Sequence, residues 1–258
     1  MPKRWTSKEE AFYRKELTKL YLHKNLSISE VATSLKIGQA TVYDRLVRLG
    51  IKSIPSRKLR FCNQRIIDLP KFSKNLAEII GILLGDGHIS EGQVWFTLGS
   101  KEQKYTYYIE NLFFKVFGYH LKRCRIVKKY TSLYIGSKAL VTSLKKMGLV
   151  QHKVKSQVGV PDWILNNKQY YPACLRGIFD TDGSIYKLRH GHQISFKNMS
   201  LVLLKDIRSM LIKLKFSPSQ ISNFSVYITK RKDLRRFKEL IGSGNPPKFL
   251  RLKAWVGT

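Results

Sequence analysis

A nine-residue stretch recurs in this chain. GILLGDGHI at 81–89 is echoed by GIFDTDGSI at 177–185, 96 positions on, with Gly, Ile, Asp, Gly and Ile in register. SLYI (132–135) is likewise echoed by SVYI (225–228), 93 positions on, and each echo leads into a helical run closed by Gly148 or Gly242. The order of elements also repeats. An apolar helix ends in Asp-Gly, and two strands follow, around 88–98 and 184–197. Next come a helix (101–117 and 199–215), strands (122–135 and 220–229) and a last helix (138–147 and 231–241). Shared motifs in a shared order argue for duplication, so most of the chain reads as two copies of one α+β unit.

The repeated acids sit where helices do not favour them. Asp86 and Asp182 fall at the C-terminal ends of apolar helices, where the macrodipole is already negative. An acid there costs stability unless a cation compensates. Gly81 and Gly85 are spaced one turn apart, as are Gly177 and Thr181, so each helix has a flat stripe for close packing. Side by side, two such helices bring Asp86 and Asp182 together at one end. Facing carboxylates favour a divalent cation, and hard oxygen ligands suit Mg²⁺.

IIGILLGDG (79–87) and LRGIFDTDG (175–183) resemble the two motifs of the LAGLIDADG homing endonucleases, and the resemblance covers roughly residues 72–253. It implies a duplicated αββαββα fold in which the motif helices form the central interface and two four-stranded sheets make a saddle over DNA. It implies a monomeric, site-specific double-strand DNA endonuclease using Mg²⁺, or holding Ca²⁺ in a non-cleaving state. The metal ligands it implies are Asp86 and Asp182, with the backbone carbonyls of Gly85 and Thr181. The lysine expected beside each metal is Lys155 in the first half, with Lys153 as second choice, and Lys248 in the second. A polar residue at the base of the second strand maps onto Lys197, whereas the first half offers Gly99, flanked by Ser100 and Lys101. Leu84 departs from the family pattern at a position where many members carry an acid.

The first fifty residues read as helices: Glu9–Leu22, then Ile28–Leu35 opened by a Ser27/Glu30 capping box, then Gln39–Leu49 closed by Gly50. LSISEVATSLKIGQATVYDRLVRLGI (26–51) resembles a helix-turn-helix. Ala32 lets the helices cross, and Ile37, Val42 and Leu46 are expected in the core. The helix from Gln39 presents Gln39, Ala40, Thr41, Tyr43 and Arg45 to a major groove. A plain three-helix bundle is the bland alternative. The expected domains are therefore an all-α helix-turn-helix domain at 1–54, a basic, Pro-interrupted linker at 55–71, and repeats at 72–166 and 167–258.

Charge points to the same partner. The chain carries 48 Lys+Arg against 17 Asp+Glu, net +31. Residues 1–60 hold 14 basic and 5 acidic side chains, residues 61–160 hold 16 and 6, and residues 161–258 hold 18 and 6. An excess spread so evenly along a folding chain suits duplex DNA. Strand alternation places Val94, Phe96, Leu98, Ile194 and Phe196 inward. It leaves Gln93, Trp95, Thr97, Gln193, Ser195 and Lys197 outward as DNA contacts, with Arg123, Arg125, Lys187, Arg189 and Lys230 as further candidates. No apolar run is long enough to span a bilayer, and the first ten residues lack a secretory signal's apolar stretch. The expected location is cytoplasmic, nucleoid or organellar. Cys62, Cys124 and Cys174 form no disulfide or zinc pattern.

Other readings fare less well. Asp180 is as well suited to capping or packing as to ligation. IFDTDGS also looks like the first motif of haloacid-dehalogenase phosphatases, but that needs a strand, more chain downstream and a later acidic pair. An EF-hand fails because the twelfth loop position counted from Asp180 is Gly191. His190 and His192 read as loop or DNA-face residues. A non-cleaving DNA-binding regulator and an RNA maturase on the same scaffold remain as alternatives. An intein is disfavoured by the initial Met and by a chain end, WVGT, without His-Asn.

Overall fold

Thr6 and Ser27 open two helices in the same way. Each hydroxyl accepts from the N–H three residues on (Glu9 at 3.3 Å, Glu30 at 3.2 Å), and each Glu reaches back to the cap N–H at 2.8 Å. The computed structural model accordingly begins with α1 (Ser7–Leu17), continued by a π-helical turn at Thr18–His23, then α2 (Ile28–Leu35) and α3 (Gln39–Arg48). Lys36, at φ +53°, closes α2, and Ile37 N–H returns to the Ala32 carbonyl at 3.0 Å. That tight turn leads directly from α2 into α3. Val31, Ala32, Val42, Leu46 and Leu49 pack with Leu17 and Tyr21 in a core of their own, and Ile37 is only partly buried against it.

The structure describes residues 5–23, 26–51, 70–99, 102–127, 130–151, 153 and 155–256, the side chains of residues 125–127 and 256 excepted. The expected linker 55–71 falls almost wholly outside them, as do Cys62, Ser100 and Lys101. The chain divides into two compact units, Met1–Asn63 and Gln64–Thr258.

In the larger unit the two halves run in parallel order. The first is α4 (Lys74–Leu84), β1 (Gly87–Ile89), β2 (Gln93–Gly99), α5 (Gln103–Phe117), β3 (Lys122–Val127), β4 (Tyr130–Gly136) and α6 (Lys138–Lys146). A short α7 (Asp162–Leu165) leads to the second: α8 (Tyr171–Asp182), β5 (Gly183–Leu188), β6 (Gly191–Lys197), α9 (Leu201–Lys213), β7 (Ser225–Ile228) and α10 (Arg231–Leu240). A final helix, α11 (Pro246–Val256), stands where the sequence pattern suggested none. The first sheet is antiparallel in the order β1-β2-β4-β3.

The second sheet has three strands among the described residues, β5-β6-β7, where four were expected. Local chemistry accounts for the difference. Ser219 N–H donates to the Tyr227 carbonyl at 2.8 Å, but Tyr227 N–H donates to the Ser219 hydroxyl at 3.0 Å. The Ser219 carbonyl is taken by Arg208 Nε at 3.0 Å. Pro218 beside it has no N–H to give. The segment thus lies beside β7 without forming a ladder.

α4 and α8 form the middle of this unit, packed almost backbone to backbone. A Cβ on Gly81 would overlap the Cys174 carbonyl oxygen, and one on Gly177 would stand 2.8 Å from Ile82 N. One continuous core, including Leu76, Ile80, Ile178, Phe179, Phe96 and Phe196, joins both halves.

Candidate active site

The two motif helices end side by side. Asp86 lies in the turn after α4, and Asp182 is the last residue of α8. Their neighbours touch: a Cβ on Gly85 would stand 2.6 Å from Thr181 Cβ and 3.3 Å from Asp182 Cγ. Burial, then the nearby Asp182 charge, pushes the Asp86 carboxyl up to about 6. Asp86 is exposed as a residue, yet the protein packed around its carboxyl withdraws much of its water. Burial also raises Asp182, against a hydrogen bond from Asn198 Nδ2 at 2.7 Å and the Lys153 charge.

Two lysines complete the cluster. Lys153 Nζ donates to the carbonyls of Leu83 (2.9 Å), Leu84 (3.0 Å) and Gly85 at the end of α4. Lys248 Nζ donates to Phe179 (2.9 Å), Asp180 (2.8 Å), Thr181 (3.1 Å) and Gly183 (2.7 Å) at the end of α8. Each ammonium thus satisfies carbonyls that a helix end leaves free and offsets its dipole. Each charge also bears on the carboxylates around it: Lys153 on Asp182 and then Asp86, and Lys248 on Asp180 first and then Asp86. Burial lowers both lysines. Lys153, not Lys155, is the partner of Lys248, since Lys155 is exposed at the rim of its turn. Two residues apart in a turn, the pair could be separated only by knowing which one points at α4.

Asp180 is buried and serves the scaffold. It accepts from Ser243 Oγ and from Gly244 N–H at 2.7 Å, which holds the loop leading to Lys248. Burial lifts its carboxyl to about 6 against those bonds. Asn245 continues the tie into the first half through Glu102 Oε1 at 3.1 Å, and Glu102 Oε2 accepts Gly99 N–H at 3.1 Å.

Residues 169–242 match the family model described as a LAGLIDADG-like domain. The second half of the chain carries a LAGLIDADG-like domain. Among solved structures, the homing endonuclease I-WcaI bound to its DNA recognition sequence superposes with a TM-score of 0.52 at 18% identity. It covers 80% of this chain and 95% of that one, so the saddle fold extends over both halves. I-DmoI in complex with DNA and Ca (TM-score 0.47, 17% identity, 70% and 97% covered) and the N-terminal LAGLIDADG domain of DUF199/WhiA (0.48, 16%, 74% and 92%) are also similar. Among curated proteins, the replication factor C small subunit of Methanocaldococcus jannaschii is 26% identical over 241 residues, 89% of this chain. The ribonucleoside-diphosphate reductase NrdEB subunit alpha of Bacillus subtilis is 26% identical over 188 residues, 66% of this chain. The chain spans only 12% and 16% of those relatives' lengths.

Strand register sorts the remaining expected residues. In the LAGLIDADG-like second half Gly183 pairs with Phe196, and in the first half Gly87 pairs with Phe96. The counterpart of Lys197 is therefore Thr97, not Gly99. A pocket of about 280 Å³ beside Asp182 is lined by Lys197, Asn198, Lys153 and Gly85. Asn198 has Leu98 as its counterpart, so Asp86 lacks that donor.

On the outer face of the first sheet Trp95 stacks on Tyr134 (4.6 Å between centroids) and donates to Gln93 Oε1 at 3.1 Å, with Thr97 exposed beyond. Arg123 departs from expectation. It pairs with Leu133, an inward position, and its guanidinium grips Glu110 of α5 at 2.6 and 2.5 Å. The side chain of Arg125 lies outside the described residues. In the second sheet Gln193 and Ser195 share the outer face with Tyr186 and Tyr227. Ser195 is buried against Ser184 Oγ at 2.6 Å, which leaves it little to offer a base. Lys187 pairs with His192 on the inward side of the alternation, Arg189 lies in the turn, and Lys230 sits past β7 as an exposed cap of α10.

In α3, Gln39, Thr41 and Tyr43 are exposed as expected. Arg45 is not free. Its guanidinium carbon lies 3.7 Å from the Tyr13 ring centroid and 5.6 Å from that of Trp5, and Nη1 is buried. No helix among the described residues is long and apolar enough to cross a membrane.

Proposed function

We propose that the chain is a monomeric, site-specific DNA endonuclease of the LAGLIDADG homing type, cutting both strands with Mg²⁺ and holding Ca²⁺ without cutting. The paired helix ends carry this reading: Asp86 and Asp182 stand where Gly85 meets Thr181, with Lys153 held on the carbonyls that close α4 and Lys248 on those that close α8. On this reading 1–54 binds DNA as a helix-turn-helix, 55–71 links it, and 72–166 with 167–258 form the saddle.

The donor set suits a hard divalent ion. Among the described residues the Asp86 carboxylate accepts no hydrogen bond, Asp182 keeps Oδ1 free, and the Gly85 and Thr181 carbonyls each keep a second lone pair. Asp86, Asp182 and those carbonyls would hold the ion. When bound, it supplies Lewis acidity at a scissile phosphate and a more acidic water. The chain does the rest. Lys153 and Lys248, poorly hydrated, set positive charge beside the phosphates. Asn198 holds the Asp182 carboxylate in place, and Lys197 presents an exposed ammonium beside it. Thr97 and Gln93 contact the duplex, with Trp95 and Tyr134 forming a flat apolar platform.

A second reading, a non-cleaving DNA-binding regulator, is favoured by one observation. The carbonyls expected as metal ligands already receive the two ammonium groups. Incubating the uninterrupted insertion site of the gene with Mg²⁺ or EDTA separates the two. Cutting that survives both Asp86→Asn and Asp182→Asn sinks the metal assignment. Tight DNA binding without cutting selects the regulator, and tight RNA binding in its place selects a maturase.

A further inference from the structure

In the smaller unit both arginines of α3 lie against aromatic rings, Arg45 half-buried and Arg48 exposed. Arg45 lies over the Tyr13 ring and within 5.6 Å of the Trp5 centroid, and the Arg48 guanidinium carbon lies 4.4 Å from the Trp5 centroid. Both rings come from α1 and the residue pair before it, so the two cations help bind α1 to α3. Arginine is the usual bidentate reader of guanine O6 and N7 in a major groove. With Arg45 packed on aromatic faces and Nη1 buried, and Arg48 held over Trp5 at the last residue of α3, neither guanidinium lies along the Ala40, Tyr43 and Val47 side of the helix.

What that face does present is different in chemistry. Tyr43 is 51% and Val47 60% exposed, one turn apart, and Ala40 lies on the same side. Such a stripe is out of place on a solvated helix of so basic a unit, where residues 1–60 carry 14 basic against 5 acidic side chains. Among base edges only thymine offers a methyl group in the major groove. Gln39 begins the helix and donates to Ser29 Oγ at 3.2 Å. That bond fixes the amide plane and leaves Oε1 and one N–H, the pair that brackets adenine N6 and N7. Asp44, the acid on this face, can only accept, so it suits an exocyclic amino group and repels guanine O6 and N7.

We infer that α3 selects its DNA by thymine methyl groups, through Ala40, Tyr43 and Val47, and by an adenine edge, through Gln39, and that it does not read guanine. The inference rests on the DNA-binding reading of the helix-turn-helix.

Duplexes selected by the full-length chain from a random library test it, with Val47→Ala as comparison. Val47 is exposed, so the variant folds. The positions whose preference changes in the variant should be thymines in the wild-type selection. Replacing each with deoxyuridine should weaken wild-type binding about fourfold, the equivalent of one buried CH₂ group, and should leave the variant unaffected. Positions dominated by guanine, or thymines indifferent to uridine, overturn the inference and leave DNA binding standing. If Val47→Ala and Gln39→Ala alter no position and shorten no footprint, the helix-turn-helix reading fails and this inference with it.

Discussion

Gly81 meets Cys174 with no room for a side chain between them: a Cβ on the glycine would overlap the cysteine's carbonyl oxygen. Because the obstacle is backbone, nothing can rotate away. Gly81→Ala should cost about 1–3 kcal/mol by overpacking and should also part the ends of α4 and α8, where Asp86 and Asp182 meet. A lower denaturant midpoint with an unchanged slope, together with lost DNA cleavage, is the expected outcome. A variant of wild-type stability would show that the helices can separate freely.

Lys153 and Lys155 should behave differently. Lys153→Met leaves the Leu83, Leu84 and Gly85 carbonyls without their donor and Asp182 without the stronger of its two opposing cations, Lys248 being the other. A loss of about 1–3 kcal/mol follows from stranding buried acceptors, and cleavage should go with it. Lys155→Met should leave both melting temperature and cutting near wild type. Equal effects of the two would remove Lys153 from its place.

Acid titration offers a third test. The folded-state pKa of Asp86, about 6, lies above its ordinary value of 3.8. Between those values the folded protein holds a proton that the unfolded chain has released, so this group's contribution is full below about pH 4 and is lost as pH rises through 6. Asp86→Asn lacks that loss. Its stability relative to wild type should therefore improve from pH 4 to pH 7, and Mg²⁺ should close the gap by stabilising only the wild type. A difference that ignores pH would contradict the crowding at this helix end.

Salt should govern DNA affinity. If the duplex meets six or more of the chain's cations, affinity should fall roughly a thousandfold between about 50 and 200 mM salt. A titration showing a nearly flat dependence would refute a phosphate-lined saddle.

Arg123 gives a contrasting expectation. Held by Glu110 and lying over the Tyr107 ring at 4.4 Å, it should matter little to DNA. Arg123→Ala should change DNA affinity less than twofold and stability by up to about 1 kcal/mol, as a surface ion pair does.

The repeat, the order of its elements and the glycine stripe were legible because they depend on local spacing. Helix period, strand alternation and an i, i+4 pair of small residues are properties of a few adjacent positions, and so was the Ser27/Glu30 cap. The site residues that were missed depend on what lies opposite. Thr97 replaces Gly99 as the counterpart of Lys197 only once Gly87 is seen to pair with Phe96. Arg123 falls on the helix-covered side of the sheet, where it reaches Glu110, because β3 pairs it with Leu133. Lys187 falls on the wrong side by the same logic.

The linear chain therefore determined that two acids would stand at the ends of two packed helices, since alternation and small-residue spacing are written into neighbouring residues. Only the tertiary structure decided that Lys153, and not Lys155, joins Lys248 at those helix ends. Lys153 reaches α4 from 68 positions beyond Gly85, and Lys248 reaches α8 from 67 beyond Thr181. A charge's partner is set by distance in space, and burial sets how strongly the two interact. Neither quantity exists until the loops have closed.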